Sequence, residues 1–209
     1  MSAPRPPAPP AREDVPAADR ADFDLVFERC AEKFGGFTPY HGAIVNSPPF
    51  GAALNALGRL ARTAGEREGT YTHAEREFVD QVLSADFGTN VLQRIHLPDA
   101  VATGVRPEAI RALREGREEE LDEDERFLAT YIRAVVRGAV DDAGYAALVE
   151  RMGPRGAVEY TIFIGFLLMT IRLWQAFGME DPSQAEVGAM LDALQSGATA
   201  PPDFRARIG

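Results

Sequence analysis

Cysteine is almost absent from this sequence, and its scarcity excludes several kinds of chemistry. Among 209 residues there is one cysteine, Cys30, so no intrachain disulfide can form and a reducing compartment is favoured. Cys30 lies within residues 23–34 (FDLVFERCAEKF), where apolar residues recur at helical spacing. The pattern predicts that Cys30 packs between helices and does not act as a reactive thiol.

The chain also lacks a basic surface. It contains 32 acidic residues against 22 lysines and arginines, which gives a formal net charge of -10. A protein of this charge without a dense basic patch is not attracted to nucleic acid or to anionic membranes, so we expect neither as a partner. Part of the acidic excess is local, in residues 115–126 (EGREEELDEDER), and this segment is predicted to be a solvated junction between two helices.

Long apolar runs are missing as well. The longest covers residues 160–171 and is followed by Arg172, which favours a buried core helix over a membrane span and hence a soluble, cytoplasmic protein. The first twenty residues contain six prolines and no apolar segment of the kind found in a secretory signal. They are therefore predicted to form a disordered tail.

Sustained alternation of apolar and polar residues is not found, so strands have little support. Helical spacing instead predicts an all-α helix bundle in one domain, residues 21–195, followed by a flexible tail, residues 196–209. Residues 77–79 and 159–161 are similar in sequence, which suggests two related helical halves. The predicted helices cover residues 21–34, 50–63, 74–86, 90–103, 107–115, 122–137, 142–152, 155–177 and 184–194.

Start and stop signals support several of these helices. Thr72 and Glu75 have the spacing of a capping box, which satisfies free backbone N–H groups at a helix start. Gly104 closes one predicted helix, and Pro107 stands at the favoured first position of the next. Pro98 lies inside the helix predicted at residues 90–103, where we expect it to kink or end the helix.

Two side chains in this part of the chain suggest acid–base chemistry. Glu77 and His96 lie nineteen positions apart on consecutive predicted helices. If they meet, the carboxylate would fix the tautomer of the imidazole and raise its basicity. Each residue also has a structural interpretation: Glu77 as an exposed ion-pairing residue at the margin of a buried face, and His96 as a core histidine with one hydrogen bond.

A metal site is the other chemistry that these residues suggest. His73 and Glu77 share a helical face, and His96 could supply a third ligand. However, nothing matches a His-Glu-x-x-His motif or paired cysteines, and the chain has no Gly-x-Ser-x-Gly and no glycine-rich phosphate loop. We therefore predict no metal and no cofactor.

The spacing of Glu77 and His96 resembles the carboxymuconolactone decarboxylase and AhpD-like superfamily. That family has a glutamate on one helix and a Cys-x-x-Cys-x-x-x-His turn at the start of the next. Glu77 and His96 match the glutamate and the histidine, whereas Thr89 and Leu92 stand at the two cysteine positions. This sequence therefore has the family's proton-transfer residues but lacks its thiols.

Other segments extend this resemblance over roughly residues 35–179. Asn46-Ser47-Pro48 is similar to the family's His-Ser-Pro turn, with asparagine in place of histidine. Residues 104–110 (GVRPEAI) are similar to its Gly-Val-x-Pro-Glu-x-Ile segment, and residues 158–160 with Trp174 resemble its last conserved helix. The resemblance implies an AhpD-like helix bundle that assembles into trimers or hexamers.

The activity implied by the resemblance is that of a cofactor-free lyase or isomerase acting on a small cyclic carboxylated or lactone-like substrate. In a decarboxylation, His96 would protonate the enolate that remains when carbon dioxide leaves, and Glu77 would orient it or shuttle the proton. Helix-start donors would stabilise the developing oxyanion. The resemblance implies four substrate-binding positions: Thr89, Asn90, Leu92 and Asn46.

Two other functions stay open at this point. The first is a peroxidase or thiol oxidoreductase, which conflicts with the missing cysteines. The second is a non-catalytic oligomeric or ligand-binding protein, which predicts that Glu77 and His96 do not face a common pocket.

Overall fold

The computed structural model describes residues 7–203. These residues form helices and contain no strand, so the predicted all-α class is confirmed for the described chain. Parts of both predicted tails, residues 1–6 and 204–209, lie outside the described residues. The α-helices are α1 (Arg20–Phe34), α2 (Pro39–Ile44), α3 (Pro48–Glu68), α4 (His73–Phe87), α5 (Asn90–Thr103), α6 (Pro107–Glu115), α7 (Glu123–Arg137), α8 (Asp142–Phe177) and α9 (Gln184–Gln195), with 3-10 turns at Arg12–Asp14, Ala17–Asp19 and Glu118–Glu120.

The chain divides into two compact units. The first comprises residues 1–60 and 172–180, and the second comprises residues 61–171 and 181–209. Because the division falls inside α3 and inside α8, each of these helices contributes residues to both units. The boundaries predicted for a single domain, residues 21–195, stay a prediction.

The first unit is built around a small apolar cluster that includes part of the predicted tail. Val15, between the first two 3-10 turns, is buried with Phe23, Val26 and Cys30. Arg12 adds two hydrogen bonds to Asp24, at 2.6 and 2.7 Å. The structure thus differs from the predicted disordered tail at residues 12–19, because one apolar residue and one ion pair fix this segment against α1.

Cys30 is fully buried in this cluster, as the helical pattern predicts. Burial raises the pKa of its thiol to about 11, and the nearby charge of Arg29 offsets only part of that effect. The thiol therefore stays protonated near neutral pH, and a packing role for Cys30 is confirmed.

The core of the second unit forms where α4 packs against α5, α6 and α7, and where α5 packs against α9. The capping box at Thr72 and Glu75 starts α4, and Gly104 and Pro107 end α5 and begin α6, all as predicted. Pro98 lies inside α5, which continues to Thr103. Fully buried side chains in this core include Leu83, Leu92, Leu97, Ile110, Ile132, Tyr160, Phe163, Ile164, Leu167 and Leu191.

One described helix, α8, is long and apolar enough to cross a bilayer, with a mean hydropathy of 1.5 over its most apolar window. The core helix of a soluble protein meets the same criterion. The helical conformation of α8 is interrupted at Gly153 (φ 71°, ψ 167°), which is followed by Pro154. The break predicted between residues 152 and 155 is therefore present, and the apolar part beyond it has Phe163, Ile164 and Leu167 fully buried.

Gly65 of α3 offers a test of the packing in the second unit. A Cβ atom at this position would lie 2.3 Å from the ring of Tyr71. That ring is buried and is held from another side by the ring of Tyr160, with centroids 5.3 Å apart. We expect Gly65→Ala to lower the free energy of unfolding by about 1–3 kcal/mol, the usual cost of overpacking a core.

Chemical denaturation measures this change, and Gly188→Ala in α9 is the matched control. A Cβ atom at Gly188 meets nothing closer than 3.8 Å, so that variant should keep or slightly raise stability through its better helix propensity. Equal stability of the two variants would contradict the close packing of Tyr71 on Gly65.

Candidate active site

The candidate site is built on α4, a helix that buries polar side chains along with apolar ones. Glu77 and Asp80 are three positions apart and hence on one face of the helix. Both are buried: Glu77 is 1% exposed and Asp80 is 0% exposed. The structural interpretation of Glu77 as an exposed residue at the margin of the buried face is therefore wrong, because the rest of the second unit covers α4 on this side too.

Glu77 and His96 come together across α4 and α5. Nδ1 of His96 lies 3.2 Å from Oε2 of Glu77, and the imidazole is 13% exposed. Oε2 is buried and has no hydrogen bond of good geometry within residues 7–203, so the contact is an ion pair by distance. The two residues thus form a buried acid–base pair.

Arg76 holds the other oxygen of the Glu77 carboxylate. Its Nη2 donates to Oε1 at 2.6 Å, and both side chains are almost fully buried. The Nε of Arg76 donates to Nδ1 of His73 at 3.4 Å, and Nε2 of His73 lies 2.7 Å from a carboxylate oxygen of Glu66. A chain of contacts therefore connects Glu77 to the protein surface, where Glu66 is half-exposed.

The surrounding charges keep Glu77 ionised. Burial alone would raise the pKa of Glu77, but His96, through its charge and its hydrogen bonding, and the charges of Arg76 and Arg62 together outweigh that effect and lower the pKa to about 2. Glu77 is therefore a fixed negative charge near neutral pH.

The pKa of Asp80 is shifted in the opposite direction. Burial is the main cause that raises the pKa of Asp80, and the negative charge of Glu77 adds to it, against the lowering effects of His96, Arg62 and Arg76. Oδ1 of Asp80 lies 3.6 Å from Nε2 of His96. Two carboxyl groups whose pKa values are pushed apart on either side of one imidazole are typical of an acid–base site.

Arg62 reaches the same imidazole from α3. Its Nη2 lies 3.0 Å from Nε2 of His96, and its Nη1 lies 3.4 Å from Nδ1. A guanidinium can only donate hydrogen bonds, so the closer contact assigns Nε2 as the acceptor and places the imidazole proton on Nδ1, facing Glu77. Control of this tautomer by Glu77 stays a prediction.

Sequence reasoning does not identify Arg62 and Asp80, although both touch His96. Arg62 lies thirty-four positions before His96 and belongs to no motif. Asp80 carries a weak signal, since it is a charged residue between the apolar positions of α4 and lies three residues after Glu77.

The positions predicted to bind an oxyanion lie at the start of α5. Thr89 precedes this helix and is buried, and its hydroxyl has no hydrogen-bond partner within residues 7–203. The donors of Asn90 are in use: its backbone N–H donates to Asp181 at 3.2 Å, and its side chain donates to the carbonyl of Pro182 at 2.8 Å. The backbone N–H of Val91 also donates to Asp181, at 2.5 Å, so a carboxylate of the chain itself binds the start of α5.

The other two predicted positions are engaged elsewhere. Leu92 is 2% exposed and belongs to the core of the second unit. Asn46 belongs to the first unit, where its amide donates to the carbonyls of Ala8, Gly42 and Ala43 at 2.9, 3.0 and 3.2 Å. Their contact with a substrate stays a prediction.

One group of side chains has the spacing of a metal site. Ligand atoms of Glu77, His96 and Asp99 lie within 4.8 Å of one another, which differs from the set with His73 that the sequence suggests. Two guanidinium groups, Arg76 on Glu77 and Arg62 on His96, add positive charge to this place and oppose a divalent cation. The charge balance therefore disfavours a divalent cation at these residues.

Comparisons with known proteins bear on the fold. No family model matches the sequence, and no curated protein matches it. Solved structures do match. An AhpD-core structure of an uncharacterized peroxidase-related protein from Ralstonia eutropha JMP134 has 15% sequence identity and a TM-score of 0.66, covering 88% of this chain and 95% of that one.

Two further structures are similar. An uncharacterized peroxidase-related protein from Silicibacter sp. TM1040 has 21% identity and a TM-score of 0.63, covering 88% of this chain and 96% of that one. The debrominase Bmp8 has 16% identity and a TM-score of 0.59, covering 85% of this chain and 94% of that one. A cysteine-to-alanine variant of this debrominase, in complex with 2,3,4-tribromopyrrole, also matches. The helical architecture of this chain is therefore that of the AhpD-like proteins.

Proposed function

We propose that this protein is a cofactor-free lyase or isomerase that moves a proton between His96 and a small cyclic carboxylated or lactone-like substrate. The observation that carries the proposal is the 3.2 Å contact between Nδ1 of His96 and the buried carboxylate of Glu77. The similar structures of peroxidase-related proteins and a debrominase are consistent with an enzyme.

The site supplies the parts of a proton relay. Glu77 stays ionised beside Nδ1, so its charge stabilises the imidazolium that forms when Nε2 takes up a proton. Nε2 is then the atom that exchanges a proton with the substrate carbon. Asp80, 3.6 Å from Nε2 and with a raised pKa, provides a second carboxyl group that can carry that proton.

In a decarboxylation, departure of carbon dioxide leaves an enolate, and His96, after taking up a proton from solvent at Nε2, donates that proton to the enolate carbon. In an isomerisation, the same imidazole removes a proton at one carbon and returns it at another. Both reactions need the pair of Glu77 and His96 and neither needs a thiol, which agrees with Thr89 and Leu92 at the cysteine positions of the resembling family.

The two other functions have less support. A thiol peroxidase needs a reactive cysteine, and Cys30 is buried with its pKa raised to about 11. A non-catalytic binding protein has no need to bury an ionised carboxylate beside an imidazole, because that arrangement costs several kcal/mol of desolvation unless the charge is paired.

We further propose that the protein is a soluble cytoplasmic homo-oligomer, a trimer or a hexamer. The apolar side chains of Val158, Ile162 and Met169 lie on one side of α8, at intervals of four and seven positions, and are 48%, 50% and 37% exposed. A row of this kind is typical of a surface that pairs with another copy.

The redox chemistry gives a direct test. We expect the purified protein to show no dithiol-dependent reduction of peroxide, because no exposed thiolate is present among residues 7–203. Peroxide consumption with a dithiol reductant measures this. Turnover that disappears in Cys30→Ser would contradict the expectation and favour the thiol oxidoreductase.

The proton relay is tested by paired kinetics and stability on variants of the acid–base pair. We expect His96→Gln to lower turnover by about 100-fold to 10,000-fold, the usual contribution of a general acid–base group, and Glu77→Gln to lower it less. Carbon dioxide release from a panel of cyclic carboxylated lactones measures the rate, and thermal unfolding measures stability.

His41→Gln is the matched control for this test. His41 is a half-buried histidine of the first unit that contacts Thr38 at 2.7 Å, so its loss should not change turnover. A well-folded His96→Gln variant with the turnover of the original protein would overturn the relay. A variant that loses turnover only in proportion to its folded fraction would favour a structural histidine.

Assembly is tested by light scattering at micromolar concentration. We expect a trimer or a larger species, and we expect Ile162→Glu to dissociate it because the substitution places a charge within the apolar row of α8. Val140→Glu, at an exposed residue between α7 and α8, should leave assembly unchanged. A monomeric native chain would contradict the proposal.

A further inference from the structure

Arg62 is more exposed than Asp80 and Glu77, the buried carboxyl groups that contact His96, and the proton relay gives it no role. Its side chain is 27% exposed and that of His96 is 13% exposed, whereas those of Asp80 and Glu77 are 0% and 1% exposed. A molecule that approaches the imidazole therefore meets the guanidinium of Arg62 before it meets the buried carboxyl groups.

The positive charge of Arg62 is only loosely paired. The carboxylate oxygen it approaches, Oδ1 of Asp80, lies 3.5 Å from Nη2. By contrast, Arg12 binds Asp24 through two bonds at 2.6 and 2.7 Å, and Arg76 binds Glu77 at 2.6 Å. Arg62 therefore retains donors for a closer anion.

The surroundings of Arg62 hold its guanidinium in place. Its Cζ lies 5.6 Å from the centre of the ring of Phe163, which is fully buried. This is the range of a cation–π contact. With Phe163 on one side and the imidazole of His96 in contact, the guanidinium is positioned in advance of any ligand, which lowers the entropic cost of binding.

Arg62 also covers the reactive nitrogen of His96. At 3.0 Å, its Nη2 donates to the lone pair of Nε2, and this lone pair must be free before Nε2 can take up a proton. An anion that draws the donors of Arg62 to itself would therefore release Nε2. Binding of the anion and release of Nε2 would then occur together.

We infer that Arg62 is the subsite for the carboxylate of a small organic acid, and that binding of this carboxylate uncovers Nε2 of His96 beside the carbon that reacts. The inference rests on the proposed function and specifies its substrate class. A guanidinium matches a carboxylate because its planar fork donates two parallel hydrogen bonds, which an ammonium group cannot do.

Benzoate is a suitable probe because it is small, planar, cyclic and singly charged. The full chain is titrated with benzoate and followed by histidine-selective NMR, with the ionic strength held constant by chloride. We expect the ring nitrogen signals of His96 to shift and to reach saturation. The ring signals of His41, in the first unit, report any effect that is not local. We expect Arg62→Gln to weaken benzoate binding by about 10-fold to 100-fold and Arg62→Lys to weaken it less, as for loss of a charge-assisted contact.

Arg94→Gln is the matched control. Arg94 is an exposed arginine on α5, two positions before His96, so this variant loses the same charge near the site and should bind benzoate like the original protein. Equal affinity in Arg62→Gln, an equal shift with chloride, or no saturable shift in the folded protein would each overturn the inference. Inorganic phosphate that competes as well as benzoate would overturn the assignment to carboxylates.

The carboxylate subsite and the proton relay can be tested separately. Calorimetry should still detect benzoate binding to His96→Gln, because Arg62 remains. If binding depends on Arg62 but His96→Gln keeps full turnover, the proposed relay fails and the subsite stands. If turnover depends on His96 but neither KM nor benzoate affinity changes in Arg62→Gln, the subsite fails and the relay stands.

Discussion

The buried negative charge of Glu77 is the feature on which the rest of the site depends. An ionised carboxylate removed from water costs several kcal/mol, and only close opposite charges and hydrogen bonds offset that cost. Arg76 supplies the closest partner, at 2.6 Å, and His96 supplies the second contact, at 3.2 Å. Because loss of one partner of a buried ion pair typically costs about 3–5 kcal/mol, these residues connect the stability of the second unit to its proposed chemistry.

The same charge organises the groups around it. Glu77 lies 3.2 Å from Nδ1 of His96, and Nε2 is the atom closest to Arg62 and Asp80. Glu77 also helps to raise the pKa of Asp80, since two neighbouring carboxyl groups resist being ionised together. One buried glutamate thus contacts the imidazole and shifts the pKa of the second carboxyl group.

The start of α5 differs from a free anion site. Helix N-termini attract anions because their backbone N–H groups lack partners within the helix. Here Asp181 satisfies the N–H groups of Asn90 and Val91 with its own carboxylate. The charge of an external anion is therefore better met at Arg62 than at the backbone of α5.

The sequence by itself determined the helices and their ends, because these depend on local signals. Residues 90–103 and 107–115 are helices with the predicted bounds, and the interruption at Gly153 and Pro154 follows from the glycine and proline there. The prediction lacks α2 (Pro39–Ile44), since a short proline-initiated helix carries little apolar periodicity, and α3 (Pro48–Glu68) extends beyond the predicted residues 50–63 at both ends.

The sequence also identified Glu77 and His96, through spacing that resembles a known family. Only the tertiary structure decided that Glu77 is buried, that Arg62 and Asp80 complete its surroundings, and that Asp181 occupies the start of α5. These contacts join residues far apart in the chain: Arg62 lies thirty-four positions from His96, and Asp181 lies ninety-one positions from Asn90. Contacts of this length are fixed by how whole helices pack, and no local pattern of residue types records that packing.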